Sequence, residues 1–110
     1  MYSITKVVIA LGALIAPSIA FSGDMTYYTP GLGSCGETNS EGDAVVALSS
    51  SQTGHCNKNI NIHYNGQTAS AKVVDTCPGC GGDGIDVSPT VFKELANLDQ
   101  GRVSVTWEFA

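Results

Sequence analysis

Four cysteines and two aspartates among β-branched residues are the side chains of this chain best equipped for chemistry. Cys77-Pro78-Gly79-Cys80 forms a Cys-x-x-Cys pair, with Cys35 and Cys56 upstream. A zinc site would need a second such pair, and His55 beside Cys56 is a poor substitute, so no metal is expected. A redox-active pair would need a helix starting after its first cysteine, but Gly81-Gly82-Asp83-Gly84 follows instead. Structural disulfides are the better reading. Four cysteines allow three pairings, and spacing does not choose among them.

Asp75 closes the run Val73-Val74 just before Cys77, and Asp86 lies between Ile85 and Val87. A carboxylate at a strand end can point into a cleft, where partial burial raises its pKa and suits it to general acid work. The plainer role for Asp86 is to buttress nearby backbone amides. Tyr27, Tyr28, Tyr64 and Trp107 have ring faces that could stack on sugars. Trp107 and Tyr64 share strand faces with aliphatic residues and read as core. Tyr28 lies on the Thr26 face, opposite Met25 and Tyr27, and is the surface candidate. His55 and His63 read as ordinary polar positions.

The elements that must carry these residues are mostly strands. Met25 and Tyr27 alternate with Thr26 and Tyr28 until Thr29-Pro30-Gly31-Leu32-Gly33 breaks the run. Ala44 to Leu48 suits a strand buried on both faces. Ile60, Ile62 and Tyr64 alternate with polar partners, and Asn65-Gly66 then signals a hairpin returning along Gln67 to Asp75. Val103, Val105, Trp107 and Phe109 share one face of a last strand. One helix interrupts, capped by Ser88, with Pro89 at its start and a stripe of Val91, Phe92, Leu95 and Leu98. Short strands at turn-marked intervals with a single helix predict a small, mainly β, closed barrel.

In front of this lies a leader. Lys6, the apolar run Val7 to Ile15, and Ser18-Ile19-Ala20 fit a signal peptide over residues 1–20, cleaved after Ala20. The run is shorter than the ~20 residues a membrane-spanning helix needs. Secretion into an oxidising compartment agrees with the disulfide reading. Residues 21–110 form one domain, read as a monomer, carrying four basic and ten acidic side chains. That acidic balance argues against nucleic acid and against an anionic membrane surface as partners.

Taken together, the segments resemble a known family. Gly23-Asp24-Met25-Thr26-Tyr27-Tyr28-Thr29-Pro30-Gly31-Leu32-Gly33-Ser34-Cys35-Gly36 is similar to the opening of fungal single-domain expansin-like (loosenin-like) proteins. Val73 to Cys80, Gly84 to Pro89 and Gly101 to Trp107 are similar to their central, strand-to-helix and final segments. The resemblance implies the six-stranded double-psi β-barrel of the lipoprotein-A-like superfamily, with one short helix and stabilising disulfides. By analogy with those barrels, the pairing expected is Cys35–Cys77 and Cys56–Cys80. It further implies that Thr26, Tyr28, Asp75 and Asp86 line a shallow polysaccharide groove. Asp86 falls where related glycosidases keep their general acid. The base those enzymes carry after the paired aromatics is replaced here by Thr29, and inverting hydrolysis requires such a base.

The function expected is therefore a secreted, non-hydrolytic protein that binds and loosens cell-wall polysaccharide, β-glucan or chitin, without a cofactor. Two alternatives follow from the same resemblance. One is a secreted cysteine-protease inhibitor or an effector binding a host protein, presenting the loops Pro30 to Gly33 and Gly79 to Gly84. The other is a weak lytic transglycosylase or endoglucanase using Asp86.

Overall fold

The computed structural model describes residues 19–110, so the leader reading lies, through residue 18, outside the described residues. Six strands follow: β1 (Phe21–Tyr27), β2 (Val45–Ser49), β3 (Asn59–Tyr64), β4 (Gln67–Cys77), β5 (Ile85–Val87) and β6 (Val103–Phe109). They close into a barrel in the order β1-β5-β2-β4-β3-β6, with β6 returning to pair with β1. The pairs β1/β5 and β2/β4 are parallel, and the other four are antiparallel. Closure removes the unpaired edges that an open sheet would expose.

Sequence pattern accounts for most of this. In β6, Val103, Val105 and Trp107 are buried while Ser104 and Thr106 face solvent. Asn65 and Gly66 adopt φ of 49° and 80°, the conformation that a two-residue type I′ turn demands, and Tyr64 pairs with Gln67 across it. All five residues of β2 are buried. The apolar lead-in to the helix, Ile85–Val87, is itself a strand, held between β1 and β2.

Helix α1 (Pro89–Leu95) packs against β1 and β4 and buries Val91, Phe92 and Leu95. It departs from expectation at both ends. Ser88 occupies the cap position but makes no side-chain cap bond; fully buried, its Oγ accepts the Val45 amide at 3.4 Å. Leu98 lies beyond the helix and opens a 3₁₀ turn, Leu98–Gln100. The barrel interior is filled by Met25, Ile60, Ile62, Ile85 and Trp107, each fully buried. Trp107 keeps its indole N–H satisfied by donating to the Asp83 carbonyl at 3.0 Å, and Phe21 stacks on its ring at 4.5 Å.

The cysteine pairing is not the one expected. Cys35 bonds Cys56, and Cys77 bonds Cys80. The reason lies in β4. The Cys35 amide donates to the Val74 carbonyl and the Asn57 amide, next to Cys56, donates to the Val73 carbonyl. Two separate loops thus meet on consecutive carbonyls of one strand, bringing their cysteines within a Cα separation of 5.7 Å. Cys77 ends β4 and enters a tight turn in which the Cys80 amide returns to its carbonyl, so its nearest thiol is three residues on.

Only the Cys35–Cys56 bridge, with a sequence separation of 21, closes a loop of tens of residues. Chain entropy then assigns it about 3 kcal/mol of stability, and less to the short bridge. Replacing Cys35 and Cys56 together by alanine should lower the denaturant midpoint accordingly. The Cys77/Cys80 double variant should lose visibly less, and equal losses in urea titrations would contradict this ranking.

Candidate functional site

The site is built from one row of paired residues. Thr26 pairs with Asp86 between β1 and β5, Asp86 with Ala47 between β5 and β2, and Ala47 with Asp75 between β2 and β4. Residues directly opposite on adjacent strands present side chains to the same face. The neighbouring row, Met25, Ile85 and Leu48, points into the core. Thr26, Asp86, Ala47 and Asp75 therefore face outward, across four adjacent strands.

Within that row, Thr26 Oγ1 donates to Asp86 Oδ1 at 2.9 Å. Partial burial pushes the Asp86 carboxyl above its ordinary range, while the Thr26 hydroxyl and the charge of Arg102 pull it back. Tyr28 is pushed up to about 12, first by burial and then by the charges of Asp75 and Asp86. Three of the four expected residues thus share one electrostatic neighbourhood, and the fourth is hydrogen-bonded into it.

Two placements differ from the sequence reading. Tyr27, assigned with Met25 to the inner face, is the more exposed tyrosine at 37%. Its ring lies edge-on to Phe92 at 4.8 Å and its hydroxyl donates to the Leu98 carbonyl. Tyr28 is half-buried, and its hydroxyl is sequestered without a hydrogen-bond partner among the described residues. Strand β1 ends at Tyr27, and Tyr28, whose amide donates to the Val87 carbonyl, keeps to the Thr26 side beside Asp75 and Asp86 but is covered there. Asp75 is also committed: its Oδ1 accepts the Ser34 amide at 2.9 Å and the Thr76 amide at 2.8 Å.

Thr26 and Asp86 open onto a groove of about 630 Å³ whose walls include Asp24, Arg102 and the turn Gly79 to Gly84. No aromatic ring lines it, and neither Tyr28 nor Asp75 does. The other carboxylates in the wall are engaged. Asp24 takes Arg102 Nη1 at 3.3 Å and the Ser104 hydroxyl, while Asp83 takes Gln52 and Ser51. Asp86 has Thr26 as its side-chain partner. A larger hollow of about 700 Å³ beside His63 and Tyr64 contains none of the four candidates. Sequence reading missed Arg102 as a wall residue, though it is the chain's only arginine. Among the described residues, no three His, Cys, Asp or Glu side chains are grouped to hold a metal ion, and no helix is long and apolar enough to cross a membrane.

No family model matches the sequence. The papain inhibitor of Streptomyces mobaraensis is 36% identical over 100 residues, covering 80% of this chain and 70% of that one. The solved structure of the Streptomyces papain inhibitor superposes with a TM-score of 0.75 at 34% identity, over 86% of this chain and 97% of that one. The chain belongs to the expansin-like double-psi β-barrel family. Allergen Asp f 7 of Aspergillus fumigatus is 36% identical over 96 residues, which are 79% of this chain and 36% of the allergen. This chain thus spans about a third of that relative's length. The same fold recurs in a mutant Clavibacter michiganensis expansin in complex with cellohexaose, at TM-score 0.76 and 20% identity, over 84% of this chain and 50% of that one.

A raised carboxyl pKa makes a directional prediction. The folded state holds the Asp86 proton more tightly than the unfolded chain does. Its contribution to stability is complete below the ordinary value of 3.8 and is lost as pH rises through the folded pKa. Asp86→Asn, which keeps an acceptor for Thr26, should therefore stabilise the barrel near pH 7, with the gain shrinking towards pH 3. Urea unfolding of both proteins at the two pH values checks this, and a gain that grows at low pH would contradict it.

Proposed function

We propose that this chain is a secreted glycan-binding barrel that holds β-linked glucan or chitin in the Thr26–Asp86 groove and loosens contacts between chains without hydrolysis. The observation that carries this reading is the open groove in which a half-buried carboxylate and its hydroxyl partner are the free polar pair. Sugars present dense hydroxyl groups, and a charged acceptor strengthens each hydrogen bond made to them. The absence of an aromatic platform in the wall favours weak, hydroxyl-directed contact over tight stacking. Asp75, with Oδ1 taken by two amides, is a loop buttress and a poor base for activating water. The expansin crystallised with cellohexaose, sharing this fold, supports the same ligand class. The reading of residues 1–20 as a signal peptide, together with the two disulfides, supports an extracellular setting.

The oxidised mature chain, residues 21–110, should be retained on insoluble cellulose or chitin and release no soluble sugar. Asp86→Ala and Thr26→Val should each weaken retention about tenfold, the size of one hydrogen bond to a charged group. Equal washing-through of all three proteins would end this reading. Sugar release that vanished in Asp86→Asn would replace it with the catalytic one.

A second reading rests on the papain inhibitor, to which this chain is similar over 70% of that protein's length. Inhibition of a papain-type cysteine protease is an activity the same barrel could present through a rigid exposed loop. Titrating papain with the oxidised chain should give submicromolar inhibition, and undiminished protease activity at a large excess would close that branch.

A further inference from the structure

The most exposed large apolar side chain outside the N-terminal tail is Leu32, at 74%. It sits at the edge of a small antiparallel turn in which Gly33 N donates to the Glu37 carbonyl at 2.9 Å and Asn39 N to the Gly31 carbonyl at 3.0 Å. These bonds flank the bridge between Leu32 and Thr38, making that pair a non-hydrogen-bonded one. In such a pair each residue's own N–H and C=O point away from its partner. Leu32 accordingly makes no backbone hydrogen bond among the described residues. Side chain and main chain are both unengaged at one position.

The turn is held rigidly. A Cβ on Gly33 would lie 2.2 Å from the Val74 carbonyl, so that residue is seated against β4 as closely as backbone allows. Cys35 is tied to Val74 by its amide and to Cys56 by its disulfide, and Ser34 is tied to Asp75. Exposing an apolar side chain on a clamped loop costs little order on binding, because the order is already present.

From these observations we infer that the Gly31–Asn39 turn is the protease-binding element, with Leu32 as its anchor. Leu32 enters an apolar pocket of a papain-type cleft while its free N–H and C=O pair with the cleft wall as an added strand. Recognition by strand addition works in this way, with main-chain bonds giving affinity and a pocket for the projecting side chain giving specificity. The inference rests on the protease-inhibitor reading above, and it assigns Asp75 the role of positioning the turn rather than touching a ligand.

The test uses papain and the full oxidised chain. Leu32 is exposed, so Leu32→Ala should leave the thermal midpoint unchanged and raise the inhibition constant about 10- to 100-fold, the factor expected from an unburied leucine. Leu32→Met, which keeps apolar volume, should recover inhibition to within about threefold of wild type. Amides of Gly31–Asn39 should gain hydrogen-exchange protection in the complex. If wild type inhibits and Leu32→Ala inhibits equally, the anchor is wrong while the inhibitor reading stands. If wild type fails to inhibit, both fall. If Leu32→Ala loses only retention on cellulose, the turn serves the glycan and this inference is overturned.

Discussion

The register slip between β2 and β4 is the constraint on which both candidate sites depend. Val46 pairs with Val73 but Ala47 pairs with Asp75, so Val74 is the extra residue of a bulge. The slip has two effects. It moves Asp75 into the outward row with Ala47 and Asp86. It also leaves the Val74 carbonyl without a ladder partner, and the Cys35 amide takes it. A regular ladder would have turned Asp75 to the other face and given the Gly31–Asn39 turn nothing to sit on. One unpaired residue therefore organises a carboxylate row on one side and a rigid loop on the other.

The row itself is asymmetric in its chemistry. Asp86 is the acid with a spare face, raised by burial and steadied by Thr26. Asp75 spends Oδ1 on two amides, and Asp24 and Asp83 are neutralised or fixed by neighbours in the wall. In the proposed glycan-binding role, such an arrangement suits holding a neutral, hydroxyl-rich chain, since attack by water needs a second carboxylate free to take a proton. Tyr28, kept protonated by burial and two negative neighbours, adds a hydroxyl facing the same carboxylates from below the surface.

Much of the barrel is legible in the sequence because local rules and burial agree there. Val103 to Phe109 alternates cleanly, Asn65-Gly66 demands its turn, and Pro89 marks a helix start. The strand pattern and the resemblance of the quoted segments to expansin-like proteins both point to the closed barrel. Thr26, Asp75 and Asp86 share an outward row, but of the four expected groove residues only Thr26 and Asp86 line the groove. What escaped the sequence depends on non-local geometry. The cysteine partners were decided by which loops land on Val73 and Val74, a consequence of a bulge that no local pattern encodes. Alternation gives the side of Tyr28 but not its cover, because burial there comes from residues distant in sequence. Ser88 fits a helix cap by sequence and holds the cap position, but its hydroxyl turns to β2, which only the assembled barrel brings near.

Strand β6 is inserted between β1 and β3, so among the described residues the last strand seals the first. Without β6, both neighbours carry bare ladders of donors and acceptors, and Phe21 lacks the indole it stacks on. Loss of β6 would therefore leave two sticky seams rather than a slightly smaller barrel.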